Sequence, residues 1–175
     1  MAVAKAMSEA DRELGGTLQR WKHLPETERF LAQFHKPLRR HSFLVLSGPS
    51  RLGKTLYARS SYPADMAVLE INCAGGAEPD LRAYRLSKHG LILFDEIVAG
   101  QVERQRKLFQ AQSAPVQLGC SATNCHSYTV FTWRKPLVLC SNNWESSLLE
   151  LRQADQDWVK ANSIVLHVTE PMWIE

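Results

Sequence analysis

An α/β layer fold built on a mostly parallel central sheet is the architecture this sequence predicts, and three observations carry it. Extended segments recur at residues 41–47, 67–72, 90–94, 116–118, 136–140 and 163–168, several of them continuous apolar runs such as Leu91-Ile92-Leu93-Phe94. Such runs suit strands buried on both faces of a parallel sheet. Helical segments fit between them at 54–60, at 102–112 with Val102, Leu108 and Phe109 inward, and at 148–158. That alternation marks α/β layers. The third observation is a glycine-containing loop between the first strand and the first of these helices.

The chain begins with a polar lead, residues 1–16, closed by Gly15-Gly16. Pro25 followed by Glu26 and Glu28 starts a helix, since proline suits the first turn and acids suit the positive end of the dipole. Phe30, Leu31 and Phe34 recur at helical spacing and face a core. Lys36-Pro37-Leu38-Arg39-Arg40 reads as a solvated basic connector, phosphate contact being the alternative. The expected division is an N-terminal helical segment with connector at 1–40 and the α/β domain at 41–175.

With 175 residues, 45% hydrophobic and 22% charged, the chain has the composition of an ordinary globular protein. No apolar run approaches the ~20 residues of a membrane span, and the first ten residues lack the apolar core of a secretory signal. A cytoplasmic or nuclear location is expected. The net charge of +3 permits a nucleic-acid partner without demanding one. Four cysteines, Cys73, Cys120, Cys125 and Cys140, read as reduced thiols. Cys120, Cys125 and His126 offer three metal ligands, but not at zinc-finger spacing and with no second ligand pair.

Gly48-Pro49-Ser50-Arg51-Leu52-Gly53-Lys54-Thr55 matches G-x-x-x-x-G-K-[ST] in full. A polyphosphate needs a concave nest of backbone N–H groups, and two glycines let the chain curl close to its oxygens. Phe43-Leu44-Val45-Leu46-Ser47 enters the loop as a buried strand, and a helix beginning at Lys54 leaves it, adding its N-terminal donors. Lys54 then reaches the β- and γ-phosphates while the Thr55 hydroxyl ligates Mg²⁺. Lys54 is expected to be exposed and to have little structural role. These residues make the domain a three-layer P-loop NTPase that takes ATP and Mg²⁺.

Two further strands end in polar residues aimed at the same crevice. Leu91-Ile92-Leu93-Phe94 delivers Asp95, to hold Mg²⁺ through water, and Glu96, to polarise the attacking water as general base. A cap for the following segment is the structural alternative. Leu137-Val138-Leu139-Cys140-Ser141 delivers Asn142, with Asn143 next to it. An amide is no base, but it can orient the attacking water and contact the γ-phosphate. A turn-forming Asn pair is the alternative.

In the order and spacing of these three motifs the chain resembles the superfamily 3 helicase domain of the Rep proteins of small circular single-stranded DNA viruses and their integrated relatives. The resemblance covers residues 43–168. It implies ATP hydrolysis coupled to translocation on single-stranded DNA by a homo-oligomeric ring, a hexamer in that family. It also implies a hairpin at residues 116–128, with a Gly/Ser/Asn/Cys tip, facing the DNA in the ring channel. His126, Arg134 and Lys135 are the polar or basic donors available there, and surface exposure is their alternative. The nicking domain of Rep proteins has no counterpart among the residues before the loop. Where that family places a trans-acting arginine before its last strand, this chain has Lys160, which lacks a guanidinium fork, with Arg152 upstream. Two other classes remain open on sequence: a nucleotide-dependent DNA-binding module with little hydrolysis, and a small P-loop kinase.

Overall fold

The computed structural model describes residues 20–61, 66–119 and 126–174. Its centre is a five-stranded parallel sheet. In chain order, after a two-residue strand β1 (Arg20–Trp21), the strands are β2 (Phe43–Ser47), β3 (Ala67–Asn72), β4 (His89–Asp95), the short β5 (Val116–Leu118) and β6 (Tyr128–Val130), then β7 (Leu137–Ser141), β8 (Ser163–His167) and a last pair of residues, β9 (Trp173–Ile174). The sheet runs β3-β4-β7-β2-β8, and every pairing in it is parallel.

Continuous apolar runs are required because both faces are covered. Phe43, Val45, Ile92, Phe94, Leu137 and Leu139 enter one core. Their neighbours Leu44, Leu46, Leu91, Leu93, Val138 and Cys140 enter the other. This is the period-2 alternation of a strand with apolar residues in both phases. Helices α1 (Pro25–Ala32) and α2 (Lys54–Ser60) cover the second face, through Phe30, Tyr57 and Ala58. On the first face lie α3 (Ala99–Arg104), α4 (Arg106–Phe109), α5 (Trp144–Leu149) and α6 (Gln153–Asn162), contributing Val102, Leu108, Phe109, Trp144 and Val159. Phe43 meets Phe109 and Trp144 edge-on, with centroids 5.7 and 6.5 Å apart. Burying each such ring contributes about 1.5–3 kcal/mol.

In the N-terminal helix Phe30 is buried and Leu31 half-buried against the core, and Phe34, in the 3₁₀ turn Gln33–His35 that follows, is half-buried against it too. The connector 36–40 is exposed throughout.

Two local expectations are corrected, both of them helices, and the hairpin strand at 116–118 is placed. The helix read over 102–112 begins at Ala99 and breaks at Gln105, whose backbone leaves the helical region (φ −112°, ψ 36°). The early start follows from Gln101: its buried amide accepts from the Val98 N–H and donates to the Cys73 and Ala77 carbonyls. The break lets Arg106 turn to Asp155 of α6 while Leu108 and Phe109 enter the core. The helix read over 148–158 is two helices, α5 and α6, parted at Glu150 to Arg152, where the Arg152 backbone is extended. Strand 116–118 is outside the central sheet. It pairs antiparallel with β6, Val116 opposite Val130 and Leu118 opposite Tyr128.

The two ends of the described chain also meet. Strands β1 and β9 pair antiparallel, with Trp21 opposite Trp173. The Met172 N–H donates to the Leu52 carbonyl (3.1 Å), inside the glycine-rich loop. Residues 1–19, expected to hold a polar lead, and 120–125, expected to hold the hairpin tip and two cysteines, lie outside the described residues.

Candidate functional site

The loop from Gly48 to Lys54 leaves the carboxyl end of β2, which lies between β7 and β8. Parallel strands open their crevice at that edge. Two glycines give the loop its shape. At Gly48 a Cβ would run into the Val168 carbonyl. Gly53 stands at φ +83°, and a Cβ there would come within 2.9 Å of the Trp173 ring. Arg51, between them, also adopts a left-handed backbone (φ 66°).

Lys54 is buried, 6% exposed, which corrects the expectation of an exposed side chain. The left-handed turn at Gly53 folds the lysine back under its own loop. Its ammonium donates to the Gly48 carbonyl (2.7 Å), the Pro49 carbonyl (2.6 Å) and Asn142 Oδ1 (2.9 Å). Burial lowers its pKa from the ordinary lysine value, opposed by the charge of Asp95. Three donors matched by three oxygens make Lys54 a structural strut as well as a cation.

One residue on, Thr55 Oγ donates to Asp95 Oδ1 at 3.3 Å. Asp95 is half-buried at the end of β4, while Glu96 beyond it is exposed and takes φ 56°. A non-glycine residue in that region carries backbone strain, of the kind that gathers at functional sites. Asn142 follows β7 directly, and the next residue, Asn143, precedes α5. The structure thus brings together Lys54, Thr55, Asp95 and Asn142 from β4, β7 and the start of α2. Glu96 stands at the rim, without a hydrogen-bond partner among the described residues.

Sequence reasoning missed several neighbours. Cys140 forms part of the floor of the crevice, its thiol pushed up to about 12 by burial and by the Asp95 charge. Ser47, the last residue before the loop, donates to both oxygens of Glu145 (2.8 and 2.7 Å), and His167 Nδ1 lies 3.0 Å from Glu145 Oε1. Glu145 therefore ties the ends of β2 and β8 to the first turn of α5. Trp21 and Trp173 at the far side of the loop were also missed. No local pattern marks these residues, because only the fold assembles them.

The proposed DNA residues are placed apart from the phosphate loop, one ahead of β6 and two ahead of β7. His126 enters β6 from the hairpin turn; its carbonyl accepts from Arg82 and its side chain is exposed. Arg134 and Lys135 precede β7, at the opposite edge of the sheet from Asn142. Arg134 donates to the Phe34 carbonyl (2.7 Å) and rests on the Trp133 ring. Lys135 is half-buried, its pKa lowered by desolvation. Beside the hairpin opens a cavity of about 390 Å³ lined by Arg82, Arg85, Tyr128 and Phe131 among others. Of the two candidates for a trans-acting cation, Arg152 is exposed and paired with Asp155 (2.8 Å), and Lys160 lies in the last turn of α6.

A five-stranded parallel sheet with helices on both faces, and a glycine loop at the carboxyl end of a central strand, has the fold of the P-loop ATPases. No family model matches the chain, and no curated protein matches its sequence. Among solved structures, NtrX from Brucella abortus in complex with ADP superposes with a TM-score of 0.51 at 15% identity, over 95% of this chain and 41% of its own. NtrX in complex with ATP gives 0.46 at 19% identity, over 95% and 44%. Domain III of the Thermotoga maritima replication initiation protein DnaA gives 0.43 at 17%, over 83% and 61%. The chain thus spans about two fifths of NtrX. Among the described residues no helix is long and apolar enough to cross a membrane.

Proposed function

We propose that the chain binds ATP·Mg²⁺ on residues 48–55 and hydrolyses it as a Rep-like helicase domain acting on single-stranded DNA within a homo-oligomeric ring. The observation that carries the nucleotide reading is the convergence of Lys54, Thr55, Asp95 and Asn142 at one strand edge, beside a loop whose Gly48 and Gly53 leave no room for a Cβ. NtrX, which shares the fold, has been crystallised with ADP.

The roles follow from the positions. Lys54 exchanges its loop carbonyls for the β- and γ-phosphate oxygens and remains beside Asn142, so the amide and the cation serve the same phosphate. Thr55 and Asp95 are the hard oxygen donors that suit Mg²⁺, which when bound neutralises charge on the phosphates. Glu96, on the exposed side of Asp95, takes the proton of the attacking water, and Asn142 orients that water. The DNA reading is supported by the β5–β6 hairpin and by the arginines and aromatic rings of the cavity beside it, a pairing suited to single strands.

ATP turnover measured with and without single-stranded DNA, for the wild type and for Lys54→Ala, tests both halves. The expected result is DNA-stimulated hydrolysis that Lys54→Ala abolishes together with ATP binding. Turnover in Lys54→Ala equal to the wild type would defeat the phosphate-loop reading. Binding without turnover in the wild type would leave a nucleotide-dependent module, and phosphate transfer to a small acceptor would point to a kinase.

A further inference from the structure

We propose that Trp173, with Trp21 beside it, is the seat of the nucleobase, an aromatic face at the nucleoside end of the phosphate loop. The inference rests on the nucleotide reading above and assigns the part of the ligand that the loop itself does not hold.

A triphosphate bound along the loop has two ends, and the sheet order fixes which is which. The loop springs from β2, with β7 and β4 on one flank and β8 on the other. Lys54 reaches Asn142 at the end of β7, and Thr55 reaches Asp95 at the end of β4. The terminal phosphate therefore belongs on the β7/β4 flank. The nucleoside must leave on the other side, towards β8. There the chain beyond β8 doubles back on the loop: the Val168 N–H donates to the Ser47 carbonyl (2.7 Å) and the Met172 N–H to the Leu52 carbonyl (3.1 Å). The Trp173 ring then lies directly against Gly53, with the Trp21 ring next to it.

This indole is held in place. Strand β9 pairs with β1, the Lys22 N–H donates to the Met172 carbonyl (2.9 Å), and Lys22 pairs with Glu170 (2.9 Å). Trp21 is anchored edge-on against Tyr57 of α2, 5.8 Å between centroids, and the Tyr57 hydroxyl donates to Thr27 of α1 (2.9 Å). Trp173 is half-buried, and among the described residues no ring or cation stacks on it. A fixed, partly exposed indole at the end of a polyphosphate cradle is suited to stacking a flat heterocycle, and such stacking tolerates any base.

Equilibrium titrations of the whole chain with Mg·ATP and with Mg·tripolyphosphate separate base recognition from phosphate recognition. The wild type is expected to bind ATP more tightly than tripolyphosphate. Trp173→Leu, which keeps apolar bulk without a π face, should weaken ATP about fivefold or more and leave tripolyphosphate unchanged. Trp173→Phe should stay within about threefold of the wild type for both. Unchanged ATP affinity in Trp173→Leu overturns the proposal. So does a parallel loss of ATP and tripolyphosphate, which would make Trp173 only a brace for the loop. A wild type that binds tripolyphosphate as tightly as ATP overturns it while the phosphate loop stands; one that binds neither removes both readings. Photolabelling of the wild type with 8-azido-ATP is independent of how the variants fold. Label on the peptides carrying Trp21 or Trp173 supports the seat, and label confined to other peptides overturns it.

Discussion

Glu96 carries two properties that a mere cap would not need: a left-handed backbone and an exposed carboxylate beside a half-buried one. Glu96→Gln keeps the shape and removes the base. It should leave ATP affinity unchanged and lower turnover by ~100-fold or more, measured by single-turnover hydrolysis alongside calorimetric binding. If binding and turnover fall together, Glu96 is holding the loop or the metal. Lys54 shows the opposite balance. Its three hydrogen bonds make it part of the loop's own structure, so Lys54→Ala should lower stability by about 1–3 kcal/mol, visible in a thermal melt, as well as abolish ATP binding. The sequence showed which residues carry charge at this site. It could not show that the lysine is folded under its own loop, because the acceptor on its far side, Asn142, lies 88 positions away.

Among the elements, the hairpin is where the resemblance and the geometry diverge in detail. Its two strands pair as the resemblance implies, the second lying at Tyr128–Val130, with Leu118 opposite Tyr128. His126 and Arg134, however, are held by different parts of the chain, the His126 carbonyl accepting from Arg82. Arg134 is engaged with the Phe34 carbonyl, and Trp133 donates to the Leu38 carbonyl, so this segment fastens the connector to the body. His126→Ala should therefore make the slope of log affinity against log salt shallower by roughly 0.7 if His126 meets a phosphate. Arg134→Ala should leave the slope unchanged and lower the melting temperature. Binding titrations on single-stranded DNA at several salt concentrations, with a non-hydrolysable ATP analogue present, make the comparison. The split of the expected 102–112 helix has a similar origin. Apolar spacing marked Val102, Leu108 and Phe109 correctly as core, but the break answers to Asp155, which gathers Arg106 and Arg152 from two directions. Side-chain periodicity reports which face is buried and is silent about a partner on another helix.

At the scale of the whole molecule, two histidines make stability depend on pH. His41 is buried and stacked on Phe34, 4.9 Å between centroids, and among the described residues neither ring nitrogen makes a well-formed hydrogen bond, although the Ala111 backbone is near. His89 is buried against Tyr84 and accepts the Arg85 N–H on Nδ1, which requires that nitrogen to be unprotonated. Burial holds both below the ordinary histidine value. The unfolded chain therefore takes up protons first, near pH 6.5, and stability falls as pH drops below that value towards the depressed folded ones. Thermal melts at pH 7.5 and 5.5 should show a loss for the wild type, and a smaller one for His41→Phe, which keeps the stack. Equal losses would place the acid sensitivity elsewhere. The architecture was largely legible, since alternating apolar strands and helices name an α/β sheet whatever their order. The pairing of β1 with β9 was not, because two residues at each end carry no period. That small pairing also sets a timetable. Leu52 waits for Met172, and Gly53 for Trp173, across most of the described chain, and contacts so distant in sequence carry the largest closure entropy. As the chain leaves the ribosome, strands β2, β4 and β7 can already have assembled while the phosphate loop still lacks its brace. The phosphate loop is thus completed by a pairing that forms after the sheet from which it springs.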